Sequence, residues 1–246
     1  MNVVVRPDPA ATATACAEVL AGRLRAALAE RGAAHLALNG GSTPRPVYEQ
    51  LPALLPDWSG VHLWFGDERC VPPEDDESNF RLASETLIAG AGIAAERVHR
   101  MRGELGPDAG AKAYGAELAE HLELDEAGIP ILDVCHLGMG PDGHTASLFP
   151  GHEALRVTGW ATVGVADSPK PPPERISLSL ACLNAARCRV LHVVGSDKRD
   201  ILARVLGEPS AERPASLLRR DELDLVADEA VFPSSGDGGV GSSAAS

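Results

Sequence analysis

The feature that most constrains the fold of this chain is the alternation of short apolar runs with segments of helical periodicity. Residues 61–66 and 189–195 are largely apolar runs, whereas residues 10–31 place apolar side chains on one helical stripe. Strands of a parallel sheet, which are buried on both faces, have such nearly unbroken apolar sequences. The alternation therefore predicts an α/β fold, in which a Rossmann-like parallel sheet is covered by helices on both faces.

The rest of the sequence predicts one folded domain with a disordered C-terminal tail. Further strands are predicted at residues 3–6, 35–39, 131–137, 160–165, 175–179 and 223–227. Further helices are predicted at residues 80–88 and 109–125, after Pro44 and from Ser196. Residues 233–246 are rich in Ser, Gly and Ala, a composition typical of disordered segments. We expect a single α/β domain over residues 1–232 and a disordered tail over residues 233–246.

Composition and charge argue against several classes of function. The chain has 246 residues, and its 22 Lys and Arg against 35 Asp and Glu give a formal net charge of −13. This balance argues against a general nucleic-acid surface but allows a few cations to surround an anionic substrate. No apolar run approaches the ~18–20 residues of a membrane span. A proline also interrupts the N-terminus too early for a signal peptide.

The cysteines indicate a reducing compartment. There are five, an odd number, and no two have the Cys-x-x-Cys spacing of zinc and redox motifs. Each is interpreted as a small apolar residue of the core. Together with the charge, this predicts a cytoplasmic protein without nucleic-acid or membrane partners. We expect a monomer or weak homo-oligomer, although the sequence does not define the oligomeric state.

Four polar loops follow predicted strands and are expected to share one edge of the sheet. They begin near Gly40, Asp67, Gly138 and Gly195. Ligands of open parallel sheets bind outside the carboxyl ends of the strands. These loops are therefore the predicted site.

The first loop, Gly40-Gly41-Ser42-Thr43-Pro44, has the chemistry of a phosphate site. Glycines allow close backbone approach, and a helix N-terminus offers free N–H groups to an anion. The hydroxyls of Ser42 and Thr43 and the nearby guanidinium of Arg45 add hydrogen-bond donors. An N-cap is also expected at this turn. The loop matches neither the Gly-x-Gly-x-x-Gly fingerprint nor a P-loop. A helix-capping turn without a ligand is the alternative.

The third loop, residues 138–145, carries Asp142 and His144 among glycines. Histidine is a ready base near neutral pH, and a carboxylate two residues away is placed to orient its ring. The alternative is a capped turn with a solvent-facing histidine. The density of glycine favours a functional bend, because each glycine costs stability where the backbone does not need it.

The remaining candidates are charged residues next to predicted strands, namely Asp67, Arg69, Lys170, Arg175 and Lys198. Taken singly, each is explained by a surface ion pair or a solvated side chain. Taken together with Arg45, the cations form a set suited to an anionic ligand. The acidic run at residues 74–77 lacks the spacing of a calcium loop, and no zinc motif occurs, so no metal is expected.

Six blocks of the sequence resemble the 6-phosphogluconolactonase family. They are residues 36–45, residues 64–72 with 78–80, residues 137–151, residues 173–177, residues 195–198 and residues 214–218. The stretch from Leu137 to Gly151 is the most specific of them. Asn39 stands where serine is common and Cys70 where a large apolar residue is common, which affects only details of the loops.

The resemblance implies hydrolysis of 6-phospho-D-glucono-1,5-lactone to 6-phospho-D-gluconate, in the oxidative pentose phosphate pathway, without cofactor or metal. For ester hydrolysis, our hypothesis is that His144 deprotonates the attacking water and that Asp142 orients His144 or tunes its charge. The tetrahedral oxyanion is expected to meet glycine N–H groups, Arg69 or Arg175. The expected contacts with substrate and phosphate are Gly40, Gly41, Ser42, Thr43, Arg45, Asp67, Arg69, Gly143, Lys170, Arg175 and Lys198.

Three alternatives remain open from the sequence. The related amino-sugar deaminases carry a catalytic glutamate five residues after the histidine, where this chain has Phe149. A non-catalytic sugar-phosphate sensor would need the phosphate loop but not the Asp142–His144 pair. A nucleotide-binding Rossmann domain is disfavoured because its glycine fingerprint is missing.

Overall fold

The computed structural model describes residues 1–232, and the tail predicted to be disordered, 233–246, lies outside the described residues. The strands are β1 (Asn2–Arg6), β2 (Ala34–Leu38), β3 (Val61–Phe65), β4 (Asp67–Arg69), β5 (Val134–Gly138), β6 (Thr162–Val165), β7 (Arg175–Leu178), β8 (Cys188–Val193) and β9 (Leu223–Asp228). The helices are α1 (Pro9–Arg31), α2 (Arg45–Leu54), α3 (Asn79–Ala83), α4 (Ala89–Ala91), α5 (Pro107–His121), α6 (Leu180–Ala185) and α7 (Arg199–Val205). A π-helical turn, Ser84–Ile88, joins α3 to α4.

Six strands form the central sheet in the order β1-β9-β8-β5-β2-β3, and all of them run parallel. The predicted parallel sheet is therefore confirmed. From β2 the chain moves outward to β3, whereas from β5 it moves in the opposite direction to β8 and β9. The point between β2 and β5 is thus a topological switch, where a crevice opens at the carboxyl ends of the strands.

A second, antiparallel sheet in the order β4-β7-β6 was not predicted. Placing residues 160–165 and 175–179 in the parallel sheet was wrong, and Asp67–Arg69 is a strand rather than part of a loop. The physical reason is chain length, since a parallel connection needs a crossover of ~12 residues or more. The segment between Val165 and Arg175 is shorter than that, so β6 and β7 form an antiparallel pair.

Helices cover the sheets with their apolar faces. Helix α1 begins where the Asp8 side chain accepts a hydrogen bond from the Ala11 N–H, and it ends at Gly32, which adopts a φ of 74°. Helix α5 lies on the second sheet, where Gly110 packs closely against Ile176. One core of buried apolar side chains extends under both sheets. Within residues 1–232, no helix is both long and apolar enough to cross a bilayer.

Candidate active site

A cavity of about 420 Å³ opens at the carboxyl ends of β2, β3, β5 and β8, where the four polar loops were expected to meet. This volume lies within the range of small-molecule sites. Ten of the predicted site residues line it: Gly40, Gly41, Ser42, Thr43, Asp67, Arg69, His144, Lys170, Arg175 and Lys198. The structure thus brings together most of the candidates that the sequence placed on separate loops.

Three predicted residues do not line the cavity. Arg45 lies in a neighbouring cavity that shares Gly41 and Ser42 with this one, and its guanidinium is 3.1 Å from the Glu85 carboxylate. Gly143 stabilises a turn instead: its N–H donates to the Gly140 carbonyl at 2.9 Å, and its φ is 83°. Asp142 meets the cavity only through its contact with His144.

The phosphate loop differs from the expected capped turn. Pro44 occupies the cap position of α2, and no side chain caps this helix. Among the described residues, the hydroxyls of Ser42 and Thr43 have no protein hydrogen-bond partner, so they are available to a ligand. Gly40 lies so close to Asn79 that a Cβ would come within 1.9 Å of the Asn79 side chain. Only glycine allows this approach.

His144 and Asp142 form a hydrogen-bonded pair at the edge of the cavity. The Nδ1 atom of His144 is 2.5 Å from Oδ1 of Asp142. Because an ionised carboxylate only accepts, we assign the proton to Nδ1, which leaves the Nε2 lone pair free. Partial burial opposes the charge of Asp142. The bond from His144 and the charges of His144 and Lys170 outweigh this effect and hold the pKa of the carboxyl well below its ordinary value.

Gly140 makes room for this pair. A Cβ at position 140 would lie 2.1 Å from Cε1 and 2.2 Å from Nδ1 of His144, and 2.7 Å from Oδ1 of Asp142. The Gly140 N–H also donates to the His144 carbonyl at 3.0 Å. The bend over residues 140–144 therefore fixes the imidazole by a backbone contact that no other residue permits.

Lys170 is the cation nearest to the pair. Its Nζ is 3.3 Å from Oδ2 of Asp142 and also 3.3 Å from Nδ1 of His144. Since Nδ1 already donates its proton to Asp142, the carboxylate is the real partner of the ammonium group. The side chain of Lys170 is 37% exposed, so it remains accessible to a ligand in the cavity.

Arg175 stabilises the loop that carries Lys170. Its guanidinium donates to the carbonyls of Pro172 at 3.0 Å, Pro171 at 3.0 Å and Lys170 at 3.2 Å. It also lies 5.7 Å from the centre of the Phe149 ring, which itself packs 4.8 Å from the ring of His144. Most of the donors of Arg175 are therefore engaged by the protein.

Asp67 is equally engaged, although it lines the cavity. Its Oδ2 accepts from the Ser147 hydroxyl at 2.7 Å, and its Oδ1 accepts from the Asn79 amide at 3.1 Å. A guanidinium nitrogen of Arg175 lies 4.0 Å away. The carboxylate therefore ties together β4, α3 and the segment after His144.

The sequence missed several residues of the cavity wall, among them Asn39, Met139 and His192. Asn39 directly follows β2 and Met139 directly follows β5. Both could therefore have been found by the rule used for the four loops, that ligands bind at the carboxyl ends of parallel strands. His192 carried no such signal, because it lies inside an apolar strand. Within residues 1–232, His192 belongs to the one group of donors close enough to share a metal ion, with Cys16 and His136.

The chain is similar to known proteins over most of its length. Residues 7–227 match the family described as glucosamine-6-phosphate isomerases/6-phosphogluconolactonase. The 6-phosphogluconolactonase of Streptomyces coelicolor is 40% identical over 226 residues, covering 87% of each chain. That of Mycobacterium leprae is 40% identical over 223 residues, covering 87% of this chain and 90% of the relative. The solved structure of 6-phosphogluconolactonase from Trypanosoma brucei superposes with a TM-score of 0.83 at 27% identity, covering 94% of this chain and 97% of that one.

Proposed function

Because the chain belongs to the glucosamine-6-phosphate isomerase/6-phosphogluconolactonase family, we propose that it hydrolyses 6-phospho-D-glucono-1,5-lactone to 6-phospho-D-gluconate, a step of the oxidative pentose phosphate pathway. One observation carries the proposal. A single cavity holds a histidine with a free ring nitrogen and a glycine loop surrounded by cations. The first group suits attack of water on an ester, and the second suits a phosphate.

His144 acts as the general base. Its Nε2 accepts a proton from water as the water oxygen attacks the lactone carbonyl, and the imidazolium then returns that proton to the departing ring oxygen. Asp142 keeps Nδ1 protonated and stabilises the imidazolium. Lactone hydrolysis has a modest intrinsic barrier, so one positioned base and one oxyanion donor are sufficient.

Lys170 stabilises the tetrahedral oxyanion. It is the cation closest to His144, and its ammonium group is accessible from the cavity. Arg69 and Arg175 were the side chains expected in this role. Arg175 gives most of its donors to the loop around Lys170, so it acts by positioning that loop.

The phosphate binds at the Gly41–Thr43 loop between Arg69 and Lys198. Gly41, Ser42 and Arg69 line both the catalytic cavity and the neighbouring one, so they lie together at the boundary. Lys198 lines the catalytic cavity from the segment that follows β8. Two free hydroxyls, backbone N–H groups and two cations give a dianion the donors it requires.

The enzyme works in the cytoplasm, as a monomer or weak homo-oligomer, without nucleic-acid or membrane partners. Its formal net charge of −13 and its five free cysteines support this setting. Negative charge favours solubility and disfavours binding to polyanions.

A coupled assay tests the proposal. Glucose-6-phosphate dehydrogenase generates the lactone in place, and 6-phosphogluconate dehydrogenase reports the product. We expect turnover well above spontaneous lactone opening, and a kcat lower by ~10²–10⁴-fold in His144→Asn. The same protein should release no ammonia from glucosamine 6-phosphate, since Phe149 stands where the deaminases carry glutamate. Ligand binding without turnover would refute the proposed activity, whereas full turnover in His144→Asn would remove His144 from the mechanism.

A further inference from the structure

A group of three buried donors lies beside the catalytic cavity and takes no part in the proposed chemistry. Cys16 comes from α1, His136 from β5 and His192 from the neighbouring strand β8. At most 3% of any of these residues is exposed. The two imidazoles stack with their centres 5.8 Å apart, and one donor atom from each residue lies within 4.8 Å of the other two.

The hydrogen bonds around Tyr48 set the tautomer of His136. The Tyr48 hydroxyl accepts from the Asn39 N–H at 2.7 Å and donates to the Asn39 carbonyl at 2.9 Å. Its remaining lone pair faces Nδ1 of His136 at 3.0 Å, so we assign the proton to Nδ1. The Nε2 lone pair therefore points to Cys16, whose sulfur is 3.5 Å away. A second hydrogen bond that fixes the ring in this way is typical of histidines that bind metals.

The other two residues differ in how their donor atoms are satisfied. The thiol of Cys16 has His136 as its only hydrogen-bond partner among the described residues, and Nε2 of His192 is buried without any partner there. A buried polar atom without a partner costs ~1–3 kcal/mol. Residues 1–232 supply no protein donor or acceptor that would remove this cost.

We propose that Cys16, His136 and His192 bind a thiophilic transition-metal ion. Bond lengths of ~2.3 Å to sulfur and ~2.0–2.1 Å to imidazole place these two donors ~3.5 Å apart around a tetrahedral ion. The sulfur and Nε2 of His136 already have this separation. One thiolate with two imidazoles is a donor set that suits Zn²⁺ and Cu⁺, and both ions share this chemistry.

Binding exchanges a proton for the ion. Burial raises the pKa of the Cys16 thiol, so the thiol is neutral in the free protein. The metal–sulfur bond forms as the S–H bond breaks, and the proton leaves to solvent. Burial lowers the pKa of His192 to about 4, so this imidazole is already in its neutral, ligating form at neutral pH. His192 also lines the catalytic cavity, which gives the ion a path of entry.

The net charge of the occupied site depends on which ion is bound. Cu⁺ with one thiolate is neutral, whereas Zn²⁺ leaves one positive charge. The charges of Lys198 and Asp228 act on His192 with opposite signs, so their effects on an added positive charge oppose each other. We expect Cu⁺ to bind more tightly, since an uncompensated buried charge is costly.

Titration of the full-length, metal-free protein with Co²⁺ tests the site directly. We expect one equivalent to produce a thiolate-to-metal charge-transfer band, with release of one proton, and Zn²⁺ and then Cu⁺ to displace it. Loss of a ligand in Cys16→Ala or His192→Phe should weaken binding by more than the ~10–100-fold typical of changes to residues that only hydrogen-bond a ligand. Cys182→Ala is the matched control, because Cys182 is also fully buried but contacts the Pro130 carbonyl.

The outcomes separate clearly. A band that persists in Cys182→Ala and disappears in both ligand variants supports the site. The proposal is overturned if the parent protein gives no such band, or if the band survives in Cys16→Ala. Circular dichroism checks that each variant is folded, and His192→Phe retains the test if Cys16→Ala does not fold. If Zn²⁺ displaces Co²⁺ but Cu⁺ does not then displace Zn²⁺, the expected order of affinity, Cu⁺ above Zn²⁺, is wrong.

Discussion

Substitution of Gly140 by alanine is the most direct test of how this site is built. The added Cβ would lie 2.1 Å from Cε1 of His144, whereas unbonded carbon atoms pack ~3.5–4.0 Å apart. One of the two groups must therefore move by ~1.5 Å. The Gly140 N–H is bonded to the His144 carbonyl, and the Gly140 carbonyl accepts from Gly143, so the backbone of the bend resists movement. The imidazole is the group that moves.

A displacement of this size breaks the hydrogen bond from His144 to Asp142 and removes Nε2 from its place. A misplacement of 1 Å can lower a rate by ~10²-fold, so we expect Gly140→Ala to reduce kcat by at least that factor. KM should change little, because the phosphate loop follows β2, whereas Gly140 follows β5. The coupled lactonase assay measures both constants. Gly22→Ala is the control, since its Cβ meets no atom within 4 Å. A kcat within threefold of the parent value would refute our account of Gly140.

Four further predictions concern individual side chains. Asp142→Asn should lower kcat by ~10²-fold or more while leaving KM nearly unchanged, because an amide no longer fixes the His144 tautomer; steady-state kinetics checks this. Arg175→Lys should reduce kcat more than it raises KM, since a lysine cannot hold the three carbonyls around Lys170. Arg45→Ala should change KM by less than ~3-fold, because Arg45 does not line the catalytic cavity and its guanidinium is paired with Glu85. The pKa of His192 is about 4 when folded, so the stability from the neutral ring is present above pH 6.5 and lost as the pH falls toward 4. We therefore expect the free energy of unfolding, measured in urea, to fall between pH 7 and pH 4.5 by roughly 2 kcal/mol more in the parent than in His192→Phe.

The parallel sheet could be predicted because its strands are buried on both faces. Residues 61–65 and 188–193 have no polar alternation, and such runs have few alternatives once helical segments separate them. The phosphate loop and the His144 bend followed from the same pattern, since the carboxyl ends of parallel strands share one edge. The apolar stripe placed the start of α1 at residue 10, one residue after the observed start at Pro9.

The second sheet could not be predicted from local pattern. Strand β4 has only three residues, all of them charged, and it is defined by its pairing with β7 more than one hundred residues later. Helix α6 also escaped prediction, because six residues are too few to show a helical period. Ile131 was placed in a strand, but its N–H donates to the Glu123 carbonyl, outside the sheet. For β4 and for Ile131, a partner distant in sequence or outside the predicted sheet decided the conformation.

Roles within the site depend on such distant partners as well. Arg45 follows the phosphate loop in sequence, yet the Glu85 carboxylate draws its guanidinium into the neighbouring cavity. His192 lies within an apolar strand and gave no signal, although it forms part of the cavity wall. The predicted roles of the other site residues stay predictions until the variants above are measured.

The pairing of β4 with β7 explains why the small sheet belongs to the site. Its register sets Arg69 directly opposite Arg175, and like charges in such a pair destabilise a sheet. Protein groups compensate only in part: Arg69 reaches the exposed carboxylate of Glu77 at 3.3 Å, and Arg175 lies 4.0 Å from Asp67. Both guanidinium groups face the cavity, where a phosphorylated substrate would reduce their repulsion. We therefore expect relief of this repulsion to contribute to the binding free energy of an anion, and to favour phosphorylated over unphosphorylated lactones.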